Sequence, residues 1–164
     1  GGIKEDLNEN GIKQAEKAKE EIVNLNIDLI ICSPADRTKH TCNIINKNNV
    51  PVIFDERLIE RDVGIYENKD WKNIDRKEFW NYYSTKYTGL ETMKSVYKRV
   101  AECLDELKEK YKDRTILLVT HGGTLRAVYW YFKGIPKDGN VGYDMHSNCE
   151  IKEYEWDKYG EKDY

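Results

Sequence analysis

Two short apolar runs constrain this chain more than any other feature. One is IDLIICS (27–33) and the other RTILLVTH (114–121). Each is too short for a buried helix and rich in β-branched residues, so each reads as a strand covered on both faces. Each also runs directly into a helical pattern. SPADRTKHTCNIIN follows the first and GTLRAVYWYFKG follows the second. Ser33 suits the N-cap and Pro34 the first helical position, while Thr124 suits the cap of the later helix and Gly134 its end. Further helices are expected over 10–25, where Ile12, Ala15, Ala18 and Ile22 recur at helical spacing, over 91–111, and over 73–84. PVIFDERL (51–58) reads as a strand, and NCEIKEYEWDKYGEKDY (148–164), which alternates, as a terminal strand and a turn. Helices alternating with buried strands predict an α/β protein: three layers, α/β/α, around a mostly parallel sheet. Ligands of such sheets bind beyond the carboxyl ends of the strands.

The 164 residues fit one domain, 1–164, long enough to bury roughly two thirds of the unfolded surface. A net charge of −3 gives no bulk attraction to nucleic acid or to an anionic membrane. No apolar run approaches the ~20 residues of a membrane span, and the polar start GGIKEDLNENG is not a signal peptide, so a cytoplasmic protein is expected. Cys32, Cys42, Cys103 and Cys149 form no Cys-x-x-Cys pair and are expected as reduced, mostly buried thiols. The three histidines are scattered, which argues against a zinc site.

The polar residues at the two strand ends are the candidates for chemistry. A helix beginning at Ser33 offers free N–H groups to an anion, and Arg37 can grip a phosphate through two parallel hydrogen bonds. His121 ends the second run, where a protonated imidazole can stabilise a phosphoryl group in transfer. Gly122 and Gly123 let the backbone turn there and approach a ligand. Glu60, in RLIERDVGIYENKDW, is a third candidate. A carboxyl beside a dry phosphate site holds a proton that it can give to a leaving oxygen. Cysteine chemistry fits less well. Only four residues separate Cys32 from Arg37, where the cysteine-dependent phosphate loop has five, and Cys32 belongs to the apolar run.

In combination these stretches resemble the histidine phosphatase superfamily, the phosphoglycerate mutase-like fold. LNENGIKQA (7–15), SPADRTKHT (33–41), RLIERDVGIYEN (57–68), GLETMKSVYKRV (89–100), VTHGGTLR (119–126) and NCEI (148–151) resemble its motifs in their order. The resemblance implies phosphoryl transfer through a phosphohistidine, with no cofactor and no metal, on a small phosphorylated metabolite. It implies that Arg37 grips the phosphate, that His121 completes the pocket with Gly122, and that Glu60 protonates the leaving oxygen and then activates water or the acceptor. Hydrolysis of a small phosphomonoester is the expected reaction. The alternatives are phosphoglycerate mutase activity and a non-catalytic phosphate-binding remnant. Arg61, Lys69 and Lys72 lie near the place of a mutase's second-phosphate clamp without matching it. The aromatic residues Trp71, Phe79, Trp80, Tyr82, Tyr83 and Tyr87 either cover the sheet or line a lid.

One motif has no counterpart. The family's Arg-His-Gly, which carries the nucleophile on the first, central strand, is not in this sequence. Gly1, counted among the substrate-binding residues, stands where the pattern is already past that strand. The expectation is therefore an N-terminally incomplete domain, with the first strand and on the order of twenty residues ahead of Gly1. His40, one turn beyond Arg37, reads as an ordinary helix-face side chain, and His146 as a loop residue. The sequence sets no oligomeric state.

Overall fold

The computed structural model describes residues 6–66, 74–142 and 149–156. Gly1, Lys69, Trp71, Lys72 and His146 lie outside them. The sheet has three parallel strands in the order β2 (Val52–Phe54), β1 (Leu29–Cys32), β3 (Ile116–Val119). Cys32 stands level with Phe54 on one side and Val119 on the other, so the carboxyl ends of all three strands reach one rim.

β1 is buried along its whole length because both sheet faces are covered. Its side chains alternate between two cores. Leu29 and Ile31 pack with α4 (Met93–Tyr111) and α5 (Gly122–Lys133), against Val96, Val100, Leu104 and Val128. Ile30 and Cys32 pack with α1 (Glu9–Ile22) and α2 (Asp36–Ile45), against Ala18, Ile22, Cys42 and Ile45. This is the three-layer α/β/α arrangement expected from the alternation of elements. Asn8 caps α1 by accepting from Gly11 N at 2.8 Å, and Thr92 caps α4 by accepting from Ser95 N at 3.1 Å. Gly134 closes α5 at φ +85°, in the region where a Cβ is strained.

Four local expectations are corrected. Ser33 is not the cap of α2. The helix starts at Asp36 behind Ala35, and Ser33 N still bonds across the sheet to Val119 O at 2.9 Å. The expected strand over 51–58 is β2 for three residues and then a 3₁₀ turn, Glu56–Leu58, begun by the Asp55 side chain accepting from Arg57 N. The aromatic helix over 73–84 is only α3 (Arg76–Phe79), since a Gly139–Tyr82 hydrogen bond and an Asn81–Asn140 bridge take the following backbone. No strand forms over 149–156. That segment instead lays Tyr154 on Phe132, rings stacked with centroids 4.7 Å apart. Among the described residues no helix is long and apolar enough to cross a membrane.

Candidate active site

The rim where β1 and β3 end brings together Ser33, Arg37 and His121. Arg37 lies in the first turn of α2, and its Nε and Nη2 approach His121 Nδ1 at 3.2 and 3.1 Å. A guanidinium only donates, so Nδ1 is the acceptor and the imidazole proton sits on Nε2. Nε2–H then donates to Ser33 Oγ at 2.8 Å. Ser33, fully buried, therefore fixes the His121 tautomer rather than the start of a helix. His121 is itself 5% exposed. Burial pushes its pKa down to about 4, with Arg37 and Arg99 adding to the effect and the Glu60 charge opposing it. Near neutral pH the imidazole is therefore uncharged. A negative charge brought beside the ring would favour its cation.

His121 is also the N-cap of α5, and its side chain makes no capping bond to the helix. The exposed N–H groups of that first turn are used by Glu60. Gly123 N donates to Oε2 and Thr124 N to Oε1, both at 3.1 Å, and Arg61 N donates to Oε1 at 2.8 Å. This seat requires a glycine, because a Cβ on Gly123 would lie 2.5 Å from Glu60 Oε1. Gly122 has no such neighbour within 4 Å, so of the two glycines only Gly123 faces another side chain of the protein at close range. Thr124 is corrected as a cap. Its hydroxyl donates to Ile59 O at 2.9 Å and ties α5 to the segment that carries Glu60.

That segment is held by Arg99 and Glu91, to which sequence reasoning assigned no role. Arg99 Nη1 donates to Arg57 O at 2.7 Å and to Ile59 O at 2.8 Å. Its Nε and Nη2 donate to Glu91 Oε1 and Oε2 at 2.8 and 3.1 Å. Glu91 in turn accepts from Asp62 N at 3.0 Å. Both residues fall within GLETMKSVYKRV, so the motif was visible although its task was not.

Arg37, Glu60, His121 and Gly122 line one open groove of about 1450 Å³, which runs on past β3 between α1 and the segment 149–156. His40 is not among the residues lining this groove; it pairs with Asp6, with Nδ1 3.0 Å from Oδ1. Phe79 is buried, Tyr82 packs edge-on against Tyr97 at 5.6 Å, and Tyr83 is exposed, so most of the described aromatic residues cover the core. Among the described residues no cluster of three or more histidine, cysteine or acidic side chains is placed to hold a metal ion.

Residues 1–162 match the histidine phosphatase superfamily (branch 1). Phosphoserine phosphatase 1 of Hydrogenobacter thermophilus is 30% identical over 143 residues, 82% of this chain and 68% of that protein. A metal-independent phosphoserine phosphatase of Arabidopsis thaliana is 31% identical over 167 residues, 95% of this chain and 70% of that protein. Among solved structures, a mycobacterial glucosyl-3-phosphoglycerate phosphatase in complex with VO3 superimposes with a TM-score of 0.73 at 23% identity, over 88% of this chain and 77% of that one, a likeness of fold.

Proposed function

We propose that this chain, which belongs to the histidine phosphatase superfamily, hydrolyses small phosphomonoesters at the rim bounded by Arg37, Glu60 and His121. The observation that carries this reading is the convergence of a guanidinium, an imidazole and a carboxyl there, with the imidazole and the carboxyl both placed by the first turn of α5. The two curated relatives above carry names that describe removal of phosphate from phosphoserine.

Each group has a task that follows from its setting. Arg37, in the first turn of α2, swings its fork from His121 onto the entering phosphate, with which it forms two parallel charge-assisted bonds. His121, freed from Arg37, takes up a proton and donates to the phosphoryl oxygens as charge gathers on them. Glu60 gives a proton to the leaving oxygen and then removes one from the attacking water. The site needs no metal in this scheme, because Arg37 and protonated His121 supply the positive charge.

The phosphoryl group also needs an accepting imidazole. His40 is occupied with Asp6 outside the cluster, and His121 faces Arg37, so neither takes that part. Among the described residues β3 is paired on one side only, and its other edge lines the groove. We place there a strand ahead of Gly1 that carries the nucleophilic histidine beside His121. Intact-mass measurement of the native protein is expected to exceed the 19.4 kDa of these residues. Acid-labile phosphohistidine should form on that added segment.

Turnover of an aryl phosphate tests the reading directly. Arg37→Ala and His121→Ala should each lower kcat/KM by about 10²–10³-fold, the usual loss of one preorganised electrostatic partner. Glu60→Gln should fall hardest on alkyl phosphates, whose leaving oxygens need the proton. Full activity in either alanine variant removes the site from this rim.

A further inference from the structure

Three polar side chains stand in series behind the rim, and all are buried: His121, Ser33 and Thr38. Buried polar atoms need partners, and these serve one another. His121 Nε2–H donates to Ser33 Oγ at 2.8 Å. Thr38 Oγ1 lies 2.8 Å from both Ser33 O and Ala35 O, so one hydroxyl proton is shared by two carbonyls and closes the turn between β1 and α2. Ser33 N is tied across the sheet to Val119 O at 2.9 Å, and Ser33 Oγ also accepts from Ala35 N at 3.4 Å. The Ser33 backbone is thus fastened on both sides, which holds its hydroxyl oxygen against the imidazole.

The two ring nitrogens meet different chemistry. Nδ1 faces Arg37, which only donates, while Nε2 faces a hydroxyl, which can accept. A neutral ring with its proton on Nδ1 would set two donors face to face. A proton added at Nδ1, by contrast, asks nothing new of Ser33, because its oxygen accepts from Nε2–H in the neutral ring and in the cation alike. The charged groups around the ring are Glu60 from the 57–62 segment, Arg37 from α2 and Arg99 from α4. Glu60 favours the cation and both arginines oppose it. Moving Arg37 off Nδ1 therefore uncovers a lone pair and takes away a repelling charge in one step.

We propose that Ser33, held in place by Thr38, is a positioning residue that commits His121 to one reactive atom: Nε2–H stays on Ser33, and Nδ1 gains a proton and becomes the donor to a phosphoryl oxygen when Arg37 turns to phosphate. The proposal rests on the phosphomonoester reading and deepens it by naming the nitrogen that meets the phosphate. In this step one N–H bond forms at Nδ1, its proton taken from the entering phosphate monoanion or from water, and no bond to phosphorus changes. Thr38 acts at one remove, because without its hydroxyl the Ser33 carbonyl is released and Oγ can turn away from the ring.

The test is nitrogen NMR of the full chain labelled with 15N-histidine, which separates protonated from bare ring nitrogens. The His121 signals are those lost in His121→Asn. The free wild type should carry its proton on Nε2, and saturating inorganic phosphate should add one at Nδ1. Ser33→Ala should leave a mixture of tautomers in the free ring and weaken phosphate binding by about tenfold or more in calorimetry, since a hydrogen bond to a charged group is lost. Thr38→Val should move both readouts the same way, with phosphate about fivefold weaker, and Thr38→Ser should restore them. A purely structural role would lower Tm without moving the proton. A free wild-type ring protonated on Nδ1, or a Ser33→Ala protein with an unchanged tautomer and unchanged phosphate affinity, overturns the proposal and leaves the phosphatase site standing. Where Ser33→Ala does not fold, the two Thr38 variants decide on the same readouts. Phosphate that leaves both His121 nitrogens unmoved overturns the phosphate reading of the rim together with the proposal.

Discussion

His121 holds two positions at once, the end of a buried strand and the cap of α5, and both keep it dry. Its pKa is pushed from the ordinary 6.5 down to about 4 by burial first, with Arg37 and Arg99 assisting. The unfolded chain binds a proton near pH 6.5 that the folded chain refuses until about pH 4, so stability falls as pH drops through that window and is fully present above it. The loss should reach roughly 3 kcal/mol, and urea midpoints from pH 7 to 4 should show it in the wild type but not in His121→Asn. Phosphate binding at pH 6 should take up a proton, read as a buffer-dependent heat. Such a state was not legible in the letters VTHGG. The sequence placed the imidazole at a strand end, whereas its charge depends first on burial and then on Glu60, Arg37 and Arg99, all brought to it from other elements.

At the scale of elements, the proposed active site is a junction of three ends: the tips of β1 and β3 and the first turn of α5. The 57–62 segment reaches that junction because α4 holds it. Arg99 grips the carbonyls of Arg57 and Ile59, while Glu91 grips Asp62 N and, through its own carbonyl, Arg61. Arg99→Met should release this segment and let Glu60 drift from Gly123 and Thr124. A displacement of about 1 Å can lower kcat by ~10²-fold, and the loss should be larger for alkyl than for aryl phosphates. Inorganic phosphate should inhibit the variant as before, since Arg37 and His121 are attached elsewhere. An equal loss on both ester types with weakened phosphate binding would instead mean that the clamp only supports the fold. α1, α4 and α5 were readable because their apolar stripes repeat at helical spacing. α3 was not, because its aromatic residues suit a helix and a covering loop equally well, and backbone pairing with 139–141 decided the matter.

Across the whole molecule, the sheet separates two cores, and only the α4/α5 side is joined by residues from nearly every later element. Leu104, 1% exposed, sits within that core. Leu104→Ala should cost about 2–5 kcal/mol in chemical denaturation, the usual range for a buried leucine that leaves a cavity. A loss below 1 kcal/mol would mean the α4/α5 layer repacks freely. The sequence by itself determined the layer architecture, the parallel order of strand and helix, and the candidates Arg37, Glu60 and His121. Those follow from hydrophobic period and from local punctuation at strand ends, which are properties of neighbouring residues. Tertiary structure alone decided that Ser33 orients His121, that Gly123 rather than Gly122 faces Glu60, and that Arg126 lies buried on the Trp80 ring with Nε and Nη2 lacking a hydrogen-bond partner. Each of these depends on distances between segments far apart in the chain, and no local pattern encodes such distances.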